Sequence, residues 1–257
     1  YYADVTRDAA ALDAAIRAAE WVLAHRARKD GGFRHSAKPD EGPFLADTLE
    51  IGRGFLALYR STGERRWLTR AEDAAHFIEK TFRSADDSLL SAVAGSAPVA
   101  PAPSIDENVS ALRFFNLVSH YSGDTADRAS AERTMRFLSS DAVVQEPFEE
   151  SGILLADAEL ANAPPHLTVV GSRHDERASA LVATARAAAG AYARVEFWDR
   201  SEGPLPHPDV PYPKFEKPAG YVCSAGRCSA PSFEAPRYRE QIARLAGAGG
   251  SEYASQH

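Results

Sequence analysis

The hydrophobic positions at the start of the chain follow a helical period. Over residues 7–25 the polar side chains of Asp13, Arg17 and Glu20 fall on one stripe, and almost every other residue is Ala, Leu, Ile, Trp or Val. This spacing is typical of an amphipathic helix. We therefore expect a helix here with one solvated face.

The predicted helices along the chain alternate between helices with one apolar face and helices with two apolar faces. Leu45 and Leu49 lie on one face of a helical period, while Phe55 and Leu58 lie on another, which predicts a helix buried on both sides. Helices with one apolar face are predicted at about 7–25, 67–82 and 125–138, and helices with two at about 44–60, 107–121 and 151–162. Outer and inner helices are thus expected to alternate along the chain.

An internal repeat supports this alternation. At an offset of 60 residues the matching pairs are Arg53 with Arg113, Phe55 with Phe115, Gly63 with Gly123, Ala71 with Ala131, and Phe77 with Phe137. A period of this size indicates a repeated helix pair. The turns at Gly63 and Gly123 are short, whereas the connections over 26–43 and 83–105 are long. Because antiparallel helices alternate ends, both long connections are expected at the same rim.

The pattern changes after Pro164 and Pro165. A short strand at 166–170, a helix at 175–189 and a strand at 194–198 predict a small βαβ unit. The proline-rich remainder is predicted to be mostly loop, with a short strand at 221–223, a terminal helix at 237–245 and a disordered Gly- and Ser-rich tail.

These patterns predict a mostly α fold. A partial (α/α) toroid of helical hairpins is expected over residues 1–163, followed by a small βαβ appendage and a loop-rich tail over 164–257.

Composition excludes some classes of partner. The chain has 257 residues, a formal net charge of -7 and a pI near 5.6, so no basic field favours nucleic acid. No apolar run reaches the roughly 18 residues that a membrane span needs, and no signal peptide is visible. The sequence begins without methionine, which predicts a processed chain or a piece of a longer polypeptide. Its localisation stays open.

Acidic residues mark the predicted rim. Asp47 and Glu107 are related by the repeat, and paired carboxylates can supply the acid and the base or nucleophile of glycosidic hydrolysis. Sugar epimerisation would instead use an acid–base group such as His35. Capping and the helix dipole also favour acidic residues at helix starts. Asp47 and Glu107 are the predicted catalytic pair, and the predicted substrate contacts are Asp30, Arg34, His35, Glu50 and Asp106.

Two further observations concern cysteine and histidine. Cys223 and Cys228 flank a turn containing Gly226, and a redox pair, a structural disulfide and two ordinary thiols all remain open. The eight histidines are scattered, with no Cys or Asp partner at ligand spacing, so the sequence predicts no metal site and no cofactor.

Three passages carry a family resemblance. They are GPFLADTLEIGRGFLALY at 42–59, PPHLTVVGSRHDERASALVATARAA at 164–188 and KPAGYVCSAGRCSAP at 217–231. Their content and order resemble the bacterial YyaL-type proteins, which are related to the spermatogenesis-associated thioredoxin-domain proteins. The alternating helix pairs also resemble the toroids of the N-acylglucosamine 2-epimerase and six-hairpin glycosidase group.

The resemblance implies a function and two partners. Members of the family carry a thioredoxin-like domain before a helical barrel, and this chain would match their last part. A complete barrel has about twice as many helices, so the missing half is expected from upstream sequence or a second subunit. Fold analogy implies a rim that binds or processes a carbohydrate-like small molecule. The alternative is a non-catalytic module that docks a thioredoxin-like domain and uses Cys223 and Cys228 as structural or exchange partners.

Overall fold

The computed structural model describes residues 2–38, 42–95, 100–145 and 151–251, with side chains to residue 244. Its helices are α1 (Tyr2–Thr6), α2 (Ala9–His25), α3 (Leu45–Thr62), α4 (Arg65–Phe82), α5 (Ile105–Ser122), α6 (Thr125–Leu138), α7 (Asp141–Val144), α8 (Ser151–Ala161), α9 (Glu176–Ala188) and α10 (Ala235–Ser251). Its strands are β1 (His166–Val170), β2 (Arg194–Trp198), β3 (Ala219–Ser224) and β4 (Arg227–Cys228). The mostly α class is therefore confirmed, together with a small mixed sheet.

The predicted helices and strands are present with small shifts at their ends. Arg7 adopts a positive φ of 59°, which separates α1 from α2 and moves the start of the first long helix to Ala9. The tail differs from the expectation of disorder, because α10 continues through the glycines to Ser251, and residues 252–257 lie outside the described part of the chain. No helix of the described residues combines the length and apolar character needed to cross a bilayer.

The chain divides into two compact units. The helical unit comprises residues 13–59 and 64–162, and the sheet unit comprises residues 1–12, 60–63 and 163–257. The predicted domain division near residue 163 assigned the first residues to the helices. The structure groups them with the sheet unit instead, since α1 packs on α9.

Aromatic contacts join the helices of the helical unit. Phe55 of α3 stacks on Trp67 of α4 with ring centroids 5.6 Å apart, and Tyr59 meets Tyr121 of α5 edge-on at 5.3 Å. On its other flank α5 packs against α6 and α8. The helix α5 is buried on two sides, as its pattern predicts, and α4 buries the single apolar stripe that contains Trp67.

The helices α2 and α8, the first and last of the six predicted hairpin helices, differ from the prediction. None of the residues of α2 is buried, and the side chain of Trp21 is 50% exposed. In α8 only Ala156 and Glu159 are buried, and Leu154 is 74% exposed. The expected burial of these two helices is therefore wrong for the described residues, because α2 and α8 stand at the two ends of the series.

Both long connections of the helical unit begin with the same hairpin. In the first, Arg28 N–H donates to the Gly32 carbonyl at 2.8 Å, and in the second Ser84 N–H donates to the Ser88 carbonyl at 2.8 Å. The left-handed position is Gly31 in one and Asp87 in the other. A side chain at Gly31 would meet the backbone oxygen of Asp73 at 2.8 Å, so glycine is required there. The repeat thus extends from the helices into the loops.

A buried polar side chain near the start of each inner helix holds each hairpin. Thr48 of α3 is fully buried, and its Oγ1 accepts a hydrogen bond from Phe33 N–H at 3.2 Å. Asn108 of α5 is equally buried, and its amide accepts from Leu89 N–H at 2.7 Å and donates to the Leu89 carbonyl at 2.9 Å. These two side chains fix the long connections to the helix starts.

The two connections also meet each other. Leu45 N–H at the start of α3 donates to the Ser91 carbonyl at 2.9 Å, and Ser91 N–H donates to the Ala102 carbonyl at 3.1 Å. Residues 44 and 92 form a β-bridge, as do residues 90 and 103. The predicted gathering of both long connections at one end of the helices is therefore present in the helical unit.

The sheet unit has strand order β2-β1-β3-β4. Strands β1 and β2 are parallel and are connected through α9, as the βαβ pattern predicts, while β3 adds antiparallel to β1. Because side chains alternate across a strand, Leu167 and Val169 form one core with Leu181 of α9 and Tyr238 of α10. The opposite face lies under the proline-rich segment, which contributes Tyr212.

We expect Thr48→Val to lower the free energy of unfolding by about 1–3 kcal/mol, because the isosteric change leaves the buried Phe33 N–H without its acceptor. Urea denaturation at constant pH measures this loss. The matched control is Thr69→Val at an exposed position of α4, for which a change within about 0.5 kcal/mol is expected. Equal effects of the two substitutions would show that Thr48 does not hold the hairpin.

Candidate functional site

The predicted rim residues lie where the two connections meet. Asp47 is in the first turn of α3 and Glu107 is in the first turn of α5, each directly before the buried side chain that anchors a hairpin. The structure thus places the two predicted catalytic residues at equivalent positions of two successive repeats. These positions belong to the same end of the helical unit.

Asp47 forms a pair with His35. The imidazole Nδ1 lies 3.1 Å from both carboxylate oxygens of Asp47, and the ring of His35 meets Phe44 edge-on at 5.3 Å. The His35 side chain is 57% exposed and that of Asp47 is 22% exposed. One predicted catalytic residue and one predicted substrate contact are therefore in direct contact, with the imidazole open to solvent.

Glu107 has a different environment. Its Oε2 is buried and has no hydrogen-bond partner among the described residues. Ser104 supplies the cap of α5, since its Oγ accepts from Glu107 N–H at 3.4 Å. Burial raises the pKa of the Glu107 carboxyl above its usual range. Such a carboxyl holds its proton to higher pH, which is the property of a general acid.

The other predicted substrate contacts are more dispersed. Asp30 pairs with Arg28 at 2.8 Å, and this partner lowers the pKa of the Asp30 carboxyl. Glu50 pairs with Arg53 at 2.6 Å. Arg34 and Asp106 are exposed, and neither side chain makes a hydrogen bond or ion pair within the described ranges. Asp30 and Glu50 are thus occupied by local ion pairs, while Arg34 and Asp106 face solvent.

The two cysteines form a disulfide at the tip of the β3–β4 hairpin. They occupy paired positions of the two strands, with Cα atoms 4.0 Å apart. Ala225 and Gly226 form the two-residue turn, and both have the positive φ that such a hairpin turn requires. Cys223 is buried beneath Tyr212, whereas Cys228 is exposed. Among the alternatives left open by the sequence, the structure contains the disulfide.

A buried polar chain leads to this disulfide. Oε2 of Glu196 lies 2.6 Å from Nε2 of His166, which in turn lies 2.7 Å from Oγ1 of Thr168. The same hydroxyl lies 2.7 Å from the hydroxyl of Tyr212, and the Tyr212 oxygen is 4.0 Å from Sγ of Cys223. The contacts connect a buried carboxylate to a buried sulfur across one face of the sheet.

Arg194 balances the negative charge of Glu196 in this buried polar chain. Arg194 pairs with Glu196 at 3.0 Å and with Asp209 at 2.6 Å. Arg194, Glu196 and His166 are each at most 4% exposed. Because charges removed from water are stable only when they are paired, the three groups depend on one another. Burial also raises the pKa of Tyr212, so its hydroxyl keeps its proton.

Sequence reasoning missed this polar chain, although a signal was present. In β1 the polar residues His166 and Thr168 alternate with Leu167 and Val169, and Arg194 alternates in the same way with Val195 in β2. A period of two predicts that the polar residues share one face of a sheet. The alternation does not show that the proline-rich segment covers that face.

No protein-family model matches the sequence, and no curated protein matches it. The functional argument therefore depends on the arrangement of side chains within each unit.

We expect Glu196→Gln to lower the free energy of unfolding by about 1–3 kcal/mol, since it leaves the buried His166 without its carboxylate and leaves Arg194 with Asp209 alone. Thermal or urea denaturation measures the change. Glu240→Gln, the same substitution at an exposed position of α10, is the control and is expected to change stability by less than about 0.5 kcal/mol. If Glu196→Gln unfolded with the same free energy as the wild type, Arg194 and His166 would not depend on Glu196.

Proposed function

We propose that the helical unit is a partial (α/α) toroid of helical hairpins whose rim binds or processes a carbohydrate-like small molecule. The observation that carries the proposal is the repetition of an acidic residue at the start of α3 and of α5, at the end where both long connections meet. Acidic side chains accept hydrogen bonds from sugar hydroxyls, and two of them can share the proton transfers of glycoside chemistry.

The two carboxyl groups have different roles in this proposal. Glu107, whose pKa burial raises, donates a proton to a leaving or ring oxygen. Asp47 acts as base or nucleophile, and His35 orients it through the contact at 3.1 Å. Arg34 and Asp106 contact ligand hydroxyls from exposed positions, and Asp30 and Glu50 do so after releasing Arg28 and Arg53. The assignment to carbohydrate depends on analogy with toroid folds.

The proposal includes membership of the YyaL-type group. The exposed Trp21 of α2 and the exposed Leu154 and Leu155 of α8 support it, because the end helices of an incomplete ring would present apolar side chains to further hairpins. In this proposal those hairpins come from the rest of the polypeptide or from a second subunit.

A ligand screen tests the rim. Isothermal calorimetry and thermal shift with monosaccharides and disaccharides are expected to identify a binder. Asp47→Asn and Glu107→Gln are each expected to weaken its binding at least about tenfold, because each removes a carboxylate that accepts hydrogen bonds from the ligand hydroxyls. Reducing-sugar release and epimerisation of the same compounds then distinguish processing from binding.

The control for the screen is Glu132→Gln, which makes the same change at an exposed position of α6. It is expected to bind the ligand as the wild type does. Absence of binding and turnover with every sugar, in protein that is folded by circular dichroism, would contradict the carbohydrate proposal.

A second candidate function concerns the disulfide of the sheet unit. We infer that this unit docks a thioredoxin-like domain and exchanges disulfides with it, and the buried chain that ends at Cys223 favours this function. A partner thiolate attacks Sγ of the exposed Cys228, the S–S bond breaks, and Cys223 leaves as a thiolate near the Tyr212 hydroxyl. A second partner thiolate then displaces Cys228, so the partner dithiol is oxidised and the Cys223–Cys228 pair is reduced.

The rate of reduction tests this candidate. With reduced thioredoxin as the donor, free thiols should appear in the wild type, and Tyr212→Phe should slow their appearance severalfold, since the leaving thiolate loses a proton donor. Tyr2→Phe, at an exposed position of α1, is the control and should react as the wild type does. A disulfide that reacts only after denaturation would be purely structural, and the exchange function would be wrong.

A further inference from the structure

Three potential metal ligands converge in the helical unit, although the scattered histidines of the sequence predicted no metal site. They are His76 on α4, and Asp124 and Asp127 at the start of α6. One ligand atom from each lies within 4.8 Å of the other two. Nε2 of His76 is 3.2 Å from Oδ2 of Asp124 and 3.7 Å from Oδ1 of Asp127.

Helix capping explains how the sequence creates this arrangement. Asp124 is the N-cap of α6, and its Oδ1 accepts a hydrogen bond from Ala126 N–H at 2.7 Å. Its other oxygen, Oδ2, is the atom that faces His76. Asp127 follows three residues later in the first turn, so both carboxylates lie at the same end of α6. The packing of α4 against α6 supplies the imidazole.

The burial of Asp127 is the second observation. Its side chain is only 2% exposed, and its Oδ2 is buried with no hydrogen-bond partner among the described residues. An unsatisfied buried carboxylate oxygen is costly, because it has lost its water without gaining a donor. The first-turn position offers only part of the compensation.

The surrounding charges increase this cost. The carboxylates of Asp124 and Glu72 place negative charge beside Asp127, and His76 is the neighbour that opposes it. Glu79 is a further acid that acts on Asp127, but it is paired with Arg83 and with Arg133, each at 2.6 Å. A cation bound by the Asp127 carboxylate would offset the lost hydration of this buried group and the negative charge of Asp124 and Glu72 beside it.

We propose that His76, Asp124 and Asp127 bind a divalent transition-metal ion of the Zn²⁺ type. Ligand atoms about 2.0–2.2 Å from a tetrahedral ion are themselves separated by about 3.3–3.6 Å, close to the two separations given above. One imidazole nitrogen favours Zn²⁺ over Mg²⁺ or Ca²⁺, which prefer oxygen ligands only.

The exposure of the site fits an exchangeable ion. The His76 side chain is 54% exposed and that of Asp124 is 37% exposed, which leaves a path for the ion and a position for water as a further ligand. Glu72 lies four residues before His76 on the same helix and is close enough to influence Asp127.

Isothermal titration calorimetry tests the site. It uses the 257-residue chain without a purification tag, after treatment with a chelator. Titration with ZnCl₂ is expected to give one bound ion per chain, and MgCl₂ is expected to bind at least about 100-fold more weakly. His76→Ala and Asp127→Asn are each expected to weaken Zn²⁺ binding about 10–100-fold or more. The control is His174→Ala, at an exposed position of the sheet unit, which should bind as the wild type does.

Two further measurements keep the test decisive. Asp124→Asn retains the helix cap, because Asn caps as well as Asp does, so it tests the ligand role if another variant fails to fold. Added Zn²⁺ should raise the melting temperature of the wild type but not that of Asp124→Asn or His76→Ala. Equal Zn²⁺ binding by the wild type and by His76→Ala would mean that the ion binds adventitiously elsewhere. Absence of Zn²⁺ binding by the wild type would mean that His76 forms only ion pairs with the two aspartates. Either result would overturn the proposal.

Discussion

The structure of the helical unit depends on one constraint, that a polar side chain buried at the start of an inner helix must be hydrogen-bonded. Thr48 and Asn108 satisfy it with the backbones of Phe33 and Leu89, and in doing so they attach each long connection to a helix. The connection from Leu89 to Asn108 spans 19 residues and that from Phe33 to Thr48 spans 15, yet both begin with the same hairpin. The rim is therefore repeated even where the loop lengths differ.

The sheet unit pairs its buried polar groups in a different way. Its sheet buries apolar residues against α9 and α10 on one face and a chain of polar residues on the other. Glu196 pairs with both His166 and Arg194, so the proline-rich segment covers charges that have partners. The disulfide lies at the end of this chain, which connects the stability of the sheet to the chemistry proposed for Cys223.

Asp127 departs from this rule at one carboxylate oxygen. Its oxygen Oδ2 is buried without a donor, whereas the Asp124 carboxylate beside it is used by the helix cap. The open oxygen of Glu107 at the rim is a second case, with burial raising a carboxyl pKa. Unsatisfied buried polar groups in a native fold are uncommon and often mark functional positions. Each of the two proposals for the helical unit includes such an atom.

The sequence by itself determined the helices, the order of the strands along the chain and the 60-residue repeat, because these depend on local periodicity and on glycines such as Gly63 and Gly123 at helix ends. It also predicted the shared rim that holds Asp47 and Glu107. Only the tertiary structure decided that α2 and α8 stay exposed, that His166 connects to Tyr212, and that His76 reaches Asp127. These contacts join residues far apart in sequence, and no local period records which helix or loop packs on another.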